Sequence, residues 1–202
     1  MRDYLDFITT GDIKKDTQAY FLIHDRKDTY EHTLDVIKEL QHIERQQGRI
    51  VSGSTIACYL HDLGRVVKND EIIEFCNNNQ IVITNEERQL PSILHQKISC
   101  FIAKELFGVS DKTILDAIRY HTTLRKNPSM IEIEVFLSDK MSWKEDGYRE
   151  LALKIKEELK ESKEKAVYYY LNNLHINRKN LELYHTDTKE AYDFFEEKYN
   201  LK

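Results

Sequence analysis

With 202 residues, 41% of them hydrophobic and 32% charged, the chain has enough apolar material for one substantial core and too much for a disordered tail. Six glycines and two prolines argue against a fold built on many tight β-turns, and a formal charge of −5, from 30 Lys and Arg against 35 Asp and Glu, excludes a global basic field that would recruit nucleic acid or an anionic membrane. No apolar run approaches the roughly 18 to 20 residues of a membrane span, and the three cysteines Cys58, Cys76 and Cys100, an odd number without CxxC spacing, indicate neither a disulfide framework nor a zinc ribbon.

The first stretch, "MRDYLDFITTGDIKKD", lacks the apolar core of a signal peptide. A cytoplasmic location is therefore expected, with residues 1–27 as an N-terminal helical segment. In "DTYEHTLDVIKELQHIERQQG", Asp28 with Glu31 three residues on forms a capping-box pattern, Leu34, Val36 and Ile37 supply apolar positions, and Gly48 closes the helix. "SGSTIACYLHDLG" predicts a short helix with Ser52 and Ser54 as candidate caps, and "NDEIIEFCNNN" another starting at Asn69. Leu94, Ile98, Phe101, Ile102 and Leu106 fall at helical spacing in "SILHQKISCFIAKELFG", which stops at Gly108. "SDKTILDAIRYHTTLRKNP" has Ser110 or Asp111 as cap, places Ile114, Leu115 and Ile118 on one face, and runs out by Pro128. The alternation in "IEIEVFL" imitates a strand, but the run Val135, Phe136 and Leu137 after the cap Ser129 fits a buried helix. From Asp146 onwards the sequence is amphipathic and charge-rich, without a candidate catalytic cluster. The expected architecture is all-α: a helical bundle over 28–145 with a C-terminal helical cover over 146–202.

Chemistry concentrates in "IACYLHDLGRVVKND". His61 and Asp62 are adjacent on a helix, so their side chains project about 100° apart and do not face each other. A metal ion held between the two projections explains both, because imidazole nitrogen and carboxylate oxygen are first-row metal ligands. Taken alone, a His capping the last carbonyls and an Asp opening the turn at Gly64 explain them more simply. His32, His95, His121 and Asp139 fall on four other predicted helices, so six ligand-type residues come from five elements. In a bundle, such residues converge in the core. Two Asp charges and four neutral imidazoles would leave two divalent ions with net positive charge, which suits a phosphate anion.

The ordered set "YEHT", "HD", "LH", "RYHT" and "SDK" resembles the HD-domain metal-dependent phosphohydrolase superfamily, and "ILDAIRYHTT" is similar to the YqeK-type symmetrical bis(5′-nucleosyl)-tetraphosphatases. The resemblance covers roughly Thr29 to Lys140 and implies an HD-type helical bundle. It also implies a dinuclear centre of iron, manganese or another first-row metal, with His32, His61, Asp62, His95, His121 and Asp139 as ligands and Asp62 as the bridge. Three positions depart from that family's wording. Arg65 stands where Lys is usual, Leu124 stands before Arg125 where Gly is usual, and "SDKMSWKEDG" replaces a Glu-Pro-Xaa-Arg element.

On the metal reading, Asp62 and Arg65 are the candidate catalytic residues, Arg65 because it follows Asp62 by three and His61 by four positions and suits a phosphate oxygen. Arg125 and Lys126, on the loop after His121, are candidates for substrate binding beside it; a solvated role explains them as well. His24 is a candidate lining residue, whereas His42, His175 and His185 read as surface or core histidines. Tyr168 to Tyr170 could stack a base or pack between helices, and Trp143 could cover a base but more simply seals the core under the C-terminal helices. The expected partner is a small-molecule nucleotide, with neither nucleic acid nor membrane, and a homodimer is compatible with the sequence. The first substrate to consider is diadenosine tetraphosphate, cleaved to ADP. The alternatives are another nucleotide or phosphomonoester, di-iron oxygenation, or a non-catalytic nucleotide-sensing module.

Overall fold

A computed structural model of the chain describes residues 4–200, which form eleven α-helices and, among the described residues, no strand. The helices are α1 (Ile13–Ile23), α2 (Lys27–Gln47), α3 (Ser54–Leu60), α4 (Ile72–Asn78), α5 (Asn85–Gln89), α6 (His95–Glu105), α7 (Lys112–Arg119), α8 (Met130–Met141), α9 (Arg149–Leu159), α10 (Lys163–Ile176) and α11 (Thr186–Asn200). Single 3₁₀ turns at Leu63–Val66, Pro91–Leu94 and Arg178–Asn180 join some of them.

Several helix ends follow from the sequence. Asp111 caps α7 by accepting from the Thr113 N–H, and Ser129 with Glu132 forms a complete capping box on α8. Others differ. The helix α2 starts at Lys27 with Arg26 as its cap position and no side-chain cap, so Asp28 lies inside the first turn, where its charge favours the exposed N–H groups. At α3 the cap position is Gly53 rather than Ser52 or Ser54. Its φ of +96° favours glycine, and a Cβ there would lie 2.9 Å from Ile114 Cγ1. The helix read from Asn69 begins at Ile72. The short α5, capped by Thr84 and Glu87, has no counterpart in the sequence reading.

The buried side chains form two clusters. One joins α1, α2, α3, α4, α6 and α7 through residues such as Phe21, Leu40, Leu60, Phe75, Ile98 and Ile118. The other joins α8 to α9, α10 and α11 through Phe136, Ile155, Leu171 and Phe195. Helix α8 contributes to both, and every residue from Ile131 to Met141 is buried. A helix packed on all sides loses amphipathic periodicity, which is why its sequence imitates a strand. Residues 145 and 146 fall between α8 and α9, and buried residues of α9, α10 and α11 join those of α8 in the second cluster.

The buried acids of α8 are held by specific partners. Glu132 caps its own helix and pairs with Arg125. Glu134 accepts from the Val51 N–H at 2.9 Å, the Ser54 hydroxyl at 2.5 Å and the Lys163 ammonium at 2.6 Å, tying α8 to the start of α3 and to α10. Glu134→Ala leaves the Lys163 charge buried and unpaired. It is expected to lower stability by about 3 to 5 kcal/mol, measured as a drop in the urea midpoint, whereas the double change Glu134→Met with Lys163→Met should recover much of that loss.

Candidate metal centre

All six candidate ligands meet at one place, although they come from distant parts of the chain. His32 projects from the second turn of α2, His61 and Asp62 follow α3 directly, His95 is the first residue of α6, His121 lies in the turn after α7, and Asp139 is near the end of α8. His61, Asp62, His95, His121 and Asp139 are buried, and His32 is partly exposed.

The carboxylate of Asp62 organises the group. Its Oδ2 lies 3.6 Å from His61 Nε2 and 3.8 Å from His32 Nε2, while its Oδ1 lies 3.4 Å from both His95 Nε2 and His121 Nε2. Asp139 Oδ1 joins the first half, 3.1 Å from His32 Nε2 and 4.0 Å from His61 Nε2. Two trios, His32 with His61 and Asp62, and Asp62 with His95 and His121, thus each gather their ligand atoms within metal-binding reach, with Asp62 in both.

Backbone hydrogen bonds decide which imidazole nitrogens are available. The Nδ1 atoms of His61, His95 and His121 contact the carbonyl oxygens of Cys58, Ser92 and Ile118 at 2.8, 2.7 and 2.8 Å. A carbonyl can only accept, so each neutral ring carries its proton on Nδ1 and turns the Nε2 lone pair inward. His95 Nε2 and His121 Nε2 then face each other at 3.1 Å, two acceptors with no proton between them. His61 Nε2 is buried without a hydrogen-bond partner. Opposed lone pairs of this kind are what a bound cation resolves, and a fixed Nδ1–H donor on each ring is the usual support of a metal-ligating histidine. The residues fit a pair of metal ions.

Electrostatics act in the same sense. Burial lowers His61 to about 4 and lowers His95 well below the usual histidine value, with Arg65 adding to the effect on His95, so both rings stay neutral. Burial opposes ionisation of the two aspartates, but it is outweighed by His61 and Arg65 around Asp62 and by Lys140 and His32 around Asp139; both carboxyls are held well below their usual range. At His32, burial is outweighed by the Asp139 hydrogen bond, and its pKa is raised. Four imidazoles and two ionised carboxylates thus face one another, a donor set suited to cations.

A cavity of about 580 Å³ opens onto the cluster, with Arg26, Thr29, Arg65, Asn69, Lys140 and Trp143 among its walls. Arg65 lies on the 3₁₀ turn after Asp62 with its Nε 3.4 Å from Asp62 Oδ1, and its side chain is about half exposed. Lys140, which the sequence reading did not assign, is buried and donates to Asp139 Oδ2 at 2.6 Å, beneath the ring of Trp143. Its only sequence signal was its place in "SDK". Trp143 does two jobs: it lines this cavity and packs edge-on to Tyr170 at the margin of the second core.

Arg125 and Lys126 do not line the cavity. Arg125 donates to Glu132 and Asp116 on the outer side of α7 and α8, and Lys126 is exposed. Leu124 gives the reason. Its φ is +58° and its side chain is fully buried in the second core, so the chain reverses there and carries Arg125 away from the metal ligands. His24 packs against the rings of Tyr4 and Tyr20 rather than lining the cavity. His175 stacks on Tyr192, and His185 is buried beside Glu86 and Glu87. No described helix is long and apolar enough to cross a membrane.

The family model of the HD domain matches residues 29–153. A protein of Lactococcus lactis subsp. cremoris, named for its position in the pepC 5′ region, is 41% identical over 92 residues, which cover 46% of this chain and 47% of that protein. A symmetrical bis(5′-nucleosyl)-tetraphosphatase of Halalkalibacterium halodurans is 28% identical over 114 residues, 54% of this chain and 58% of that protein. The matched region thus spans about half the length of these curated relatives. A crystal structure from Clostridium acetobutylicum, described as a predicted HD superfamily hydrolase involved in NAD metabolism, superposes with a TM-score of 0.77 at 23% identity, covering 95% of this chain and 99% of that one, and so shares the fold. With a family match over more than half its length, the chain belongs to the HD-domain family.

Proposed function

We propose that the chain is a metal-dependent phosphohydrolase that cleaves a nucleotide phosphate bond with water, and that symmetrical hydrolysis of diadenosine tetraphosphate to two ADP is its reaction. The observation that carries the reading is the division of Asp62, with Oδ1 toward His95 and His121 and Oδ2 toward His32 and His61. A structural metal needs one closed shell, whereas a carboxylate shared between two open trios serves a dinuclear catalytic site. The substrate is suggested by the name of the Halalkalibacterium halodurans relative.

Two first-row ions held by these residues, with iron the first candidate and manganese the second, would supply Lewis acidity that activates water and polarises a phosphoryl oxygen. The chain's own side chains do the rest. Arg65, beside Asp62 and facing the cavity, binds a phosphate oxygen outside the ligand set. Lys140 acts as a positioning residue by fixing Asp139 Oδ2, which leaves Oδ1 directed at His32 and His61.

The test is ADP release from diadenosine tetraphosphate by anaerobically purified protein supplied with iron or manganese. ADP as the sole nucleotide product supports the reading, and absence of turnover on every dinucleoside polyphosphate and mononucleotide tried contradicts it. Arg65→Ala should reduce kcat/KM by roughly 10- to 100-fold, the loss of one charge-assisted contact. Arg125→Ala should leave kcat/KM unchanged and lower the melting temperature, because its partner Glu132 is buried.

A further inference from the structure

A second chamber, of about 250 Å³, adjoins the metal cavity, and none of the phosphate chemistry described above uses it. Arg65, Ser92, His95 and Thr122 line both spaces, so a ligand bound at the metal ligands has a direct route into the chamber. Its character is different. Against the polar metal cavity it sets apolar walls, with Leu174 from α10 and Leu181 and Leu183 from the connection before α11, together with the rings of Tyr170 and Tyr184.

This wall is fastened on several sides. The Thr188 hydroxyl donates to the Thr123 carbonyl at 3.0 Å, Thr186 donates to Glu86 through its N–H at 3.2 Å and its hydroxyl at 3.1 Å, and Tyr184 Oη lies 3.2 Å from His175 Nδ1. The chamber is therefore preformed by folding. The residues that close it, from Tyr170 to Thr188, all lie beyond the region matched by the family model, so it is an addition of the C-terminal helices to the domain.

An apolar chamber opening directly from the proposed phosphate site matches a ligand with a phosphate at one end and a flat, weakly polar group at the other. The aromatic walls favour stacking of a flat ring. The space is small enough for one ring system and too small for a whole dinucleotide. We propose that the chamber is the nucleobase subsite, holding the base of the nucleotide whose phosphate occupies the metal centre between the tyrosines and the leucine wall. The proposal deepens the nucleotide-hydrolase reading and rests on it.

Adenosine, which carries no phosphate, separates the two. Saturation-transfer NMR on the full chain should show strong transfer to adenine H2 and H8 with the wild type, reduced several-fold by Leu181→Trp, which fills the chamber, and by Leu183→Asp, which places a charge in it. Both positions are only partly buried, and a wild-type circular dichroism melt would verify folding of each variant. No transfer to the wild type, or equal transfer to both folded variants, overturns the subsite. In turnover, Leu181→Trp should raise KM for diadenosine tetraphosphate at least tenfold with kcat within twofold. An unchanged KM overturns the chamber while leaving the hydrolase reading intact. Adenosine binding that is lost in the variants, in a protein with no hydrolytic activity, supports the chamber and removes the hydrolase reading instead.

Discussion

Asp62→Ala is expected to abolish turnover, by roughly 10³-fold or more, because it removes an electrostatic partner that both halves of the centre share. Each other candidate ligand lies toward one half: His95 and His121 face Oδ1, His32 and His61 face Oδ2, and Asp139 approaches only the latter pair. Asp62→Ala should therefore deplete metal from both positions, whereas His121→Ala should deplete one. The variant leaves the hydrophobic core intact, so its melting temperature in the absence of metal should stay close to that of the wild type. Measuring ADP release beside nucleotide affinity separates an enzyme from a sensor. An enzyme loses release; a sensing module would keep its affinity and show no release in the wild type either. Turnover that survives Asp62→Ala would contradict the bridging role.

The second large effect is structural and lies two residues further on. Gly64→Ala would place a methyl group 2.3 Å from the His95 carbonyl oxygen, 2.8 Å from the Ser99 nitrogen and 2.9 Å from Ile98 Cβ. None of these is the end of a flexible side chain, so α6 as a unit must move away from the turn after Asp62. The Gly64 N–H also donates to Ser99 Oγ at 2.8 Å, a bond that the movement breaks. The expected cost is on the order of 3 kcal/mol or more, read as a large drop in the melting temperature. Because α6 begins at His95, any variant that still folds should lose metal at the His95 and His121 half while retaining it at the other. Wild-type stability in Gly64→Ala would mean that the turn does not pack on α6 as closely as described.

These two sites show what the sequence makes legible. The convergence of the candidate ligands could be anticipated because most are tied to a local element: an imidazole whose Nδ1 bonds the carbonyl three residues earlier needs only a helical or turn segment, and three of the four histidines do this. Ordered motifs on successive helices then imply convergence. Arg125 could not be placed by such reasoning. Whether the residue after Leu124 points in or out depends on the backbone at Leu124, where a buried side chain enforces a positive φ that propensity would assign to glycine. The cap of α3 is set in a related way, since Gly53 is selected by its contact with Ile114, a residue sixty-one positions away. Lys140 is hidden in the sequence because a lysine after an aspartate on a helix reads as solvated, and the burial of Ile131 to Met141 is visible only in the fold. The apolar chamber has no sequence signature, because its walls come from 3₁₀ turns, α10 and the loop before α11 and meet only in the tertiary fold.

Asp62, with its two oxygens turned toward different pairs of histidines, is proposed to join two metal positions. The most direct measurement is the metal content of anaerobically purified protein by elemental analysis, after saturation with iron or manganese and removal of excess. The geometry predicts about two ions per chain in the wild type, about one in His121→Ala, and almost none in Asp62→Ala. A wild-type protein that retains no metal under these conditions, or that retains the same amount after Asp62→Ala, would contradict it.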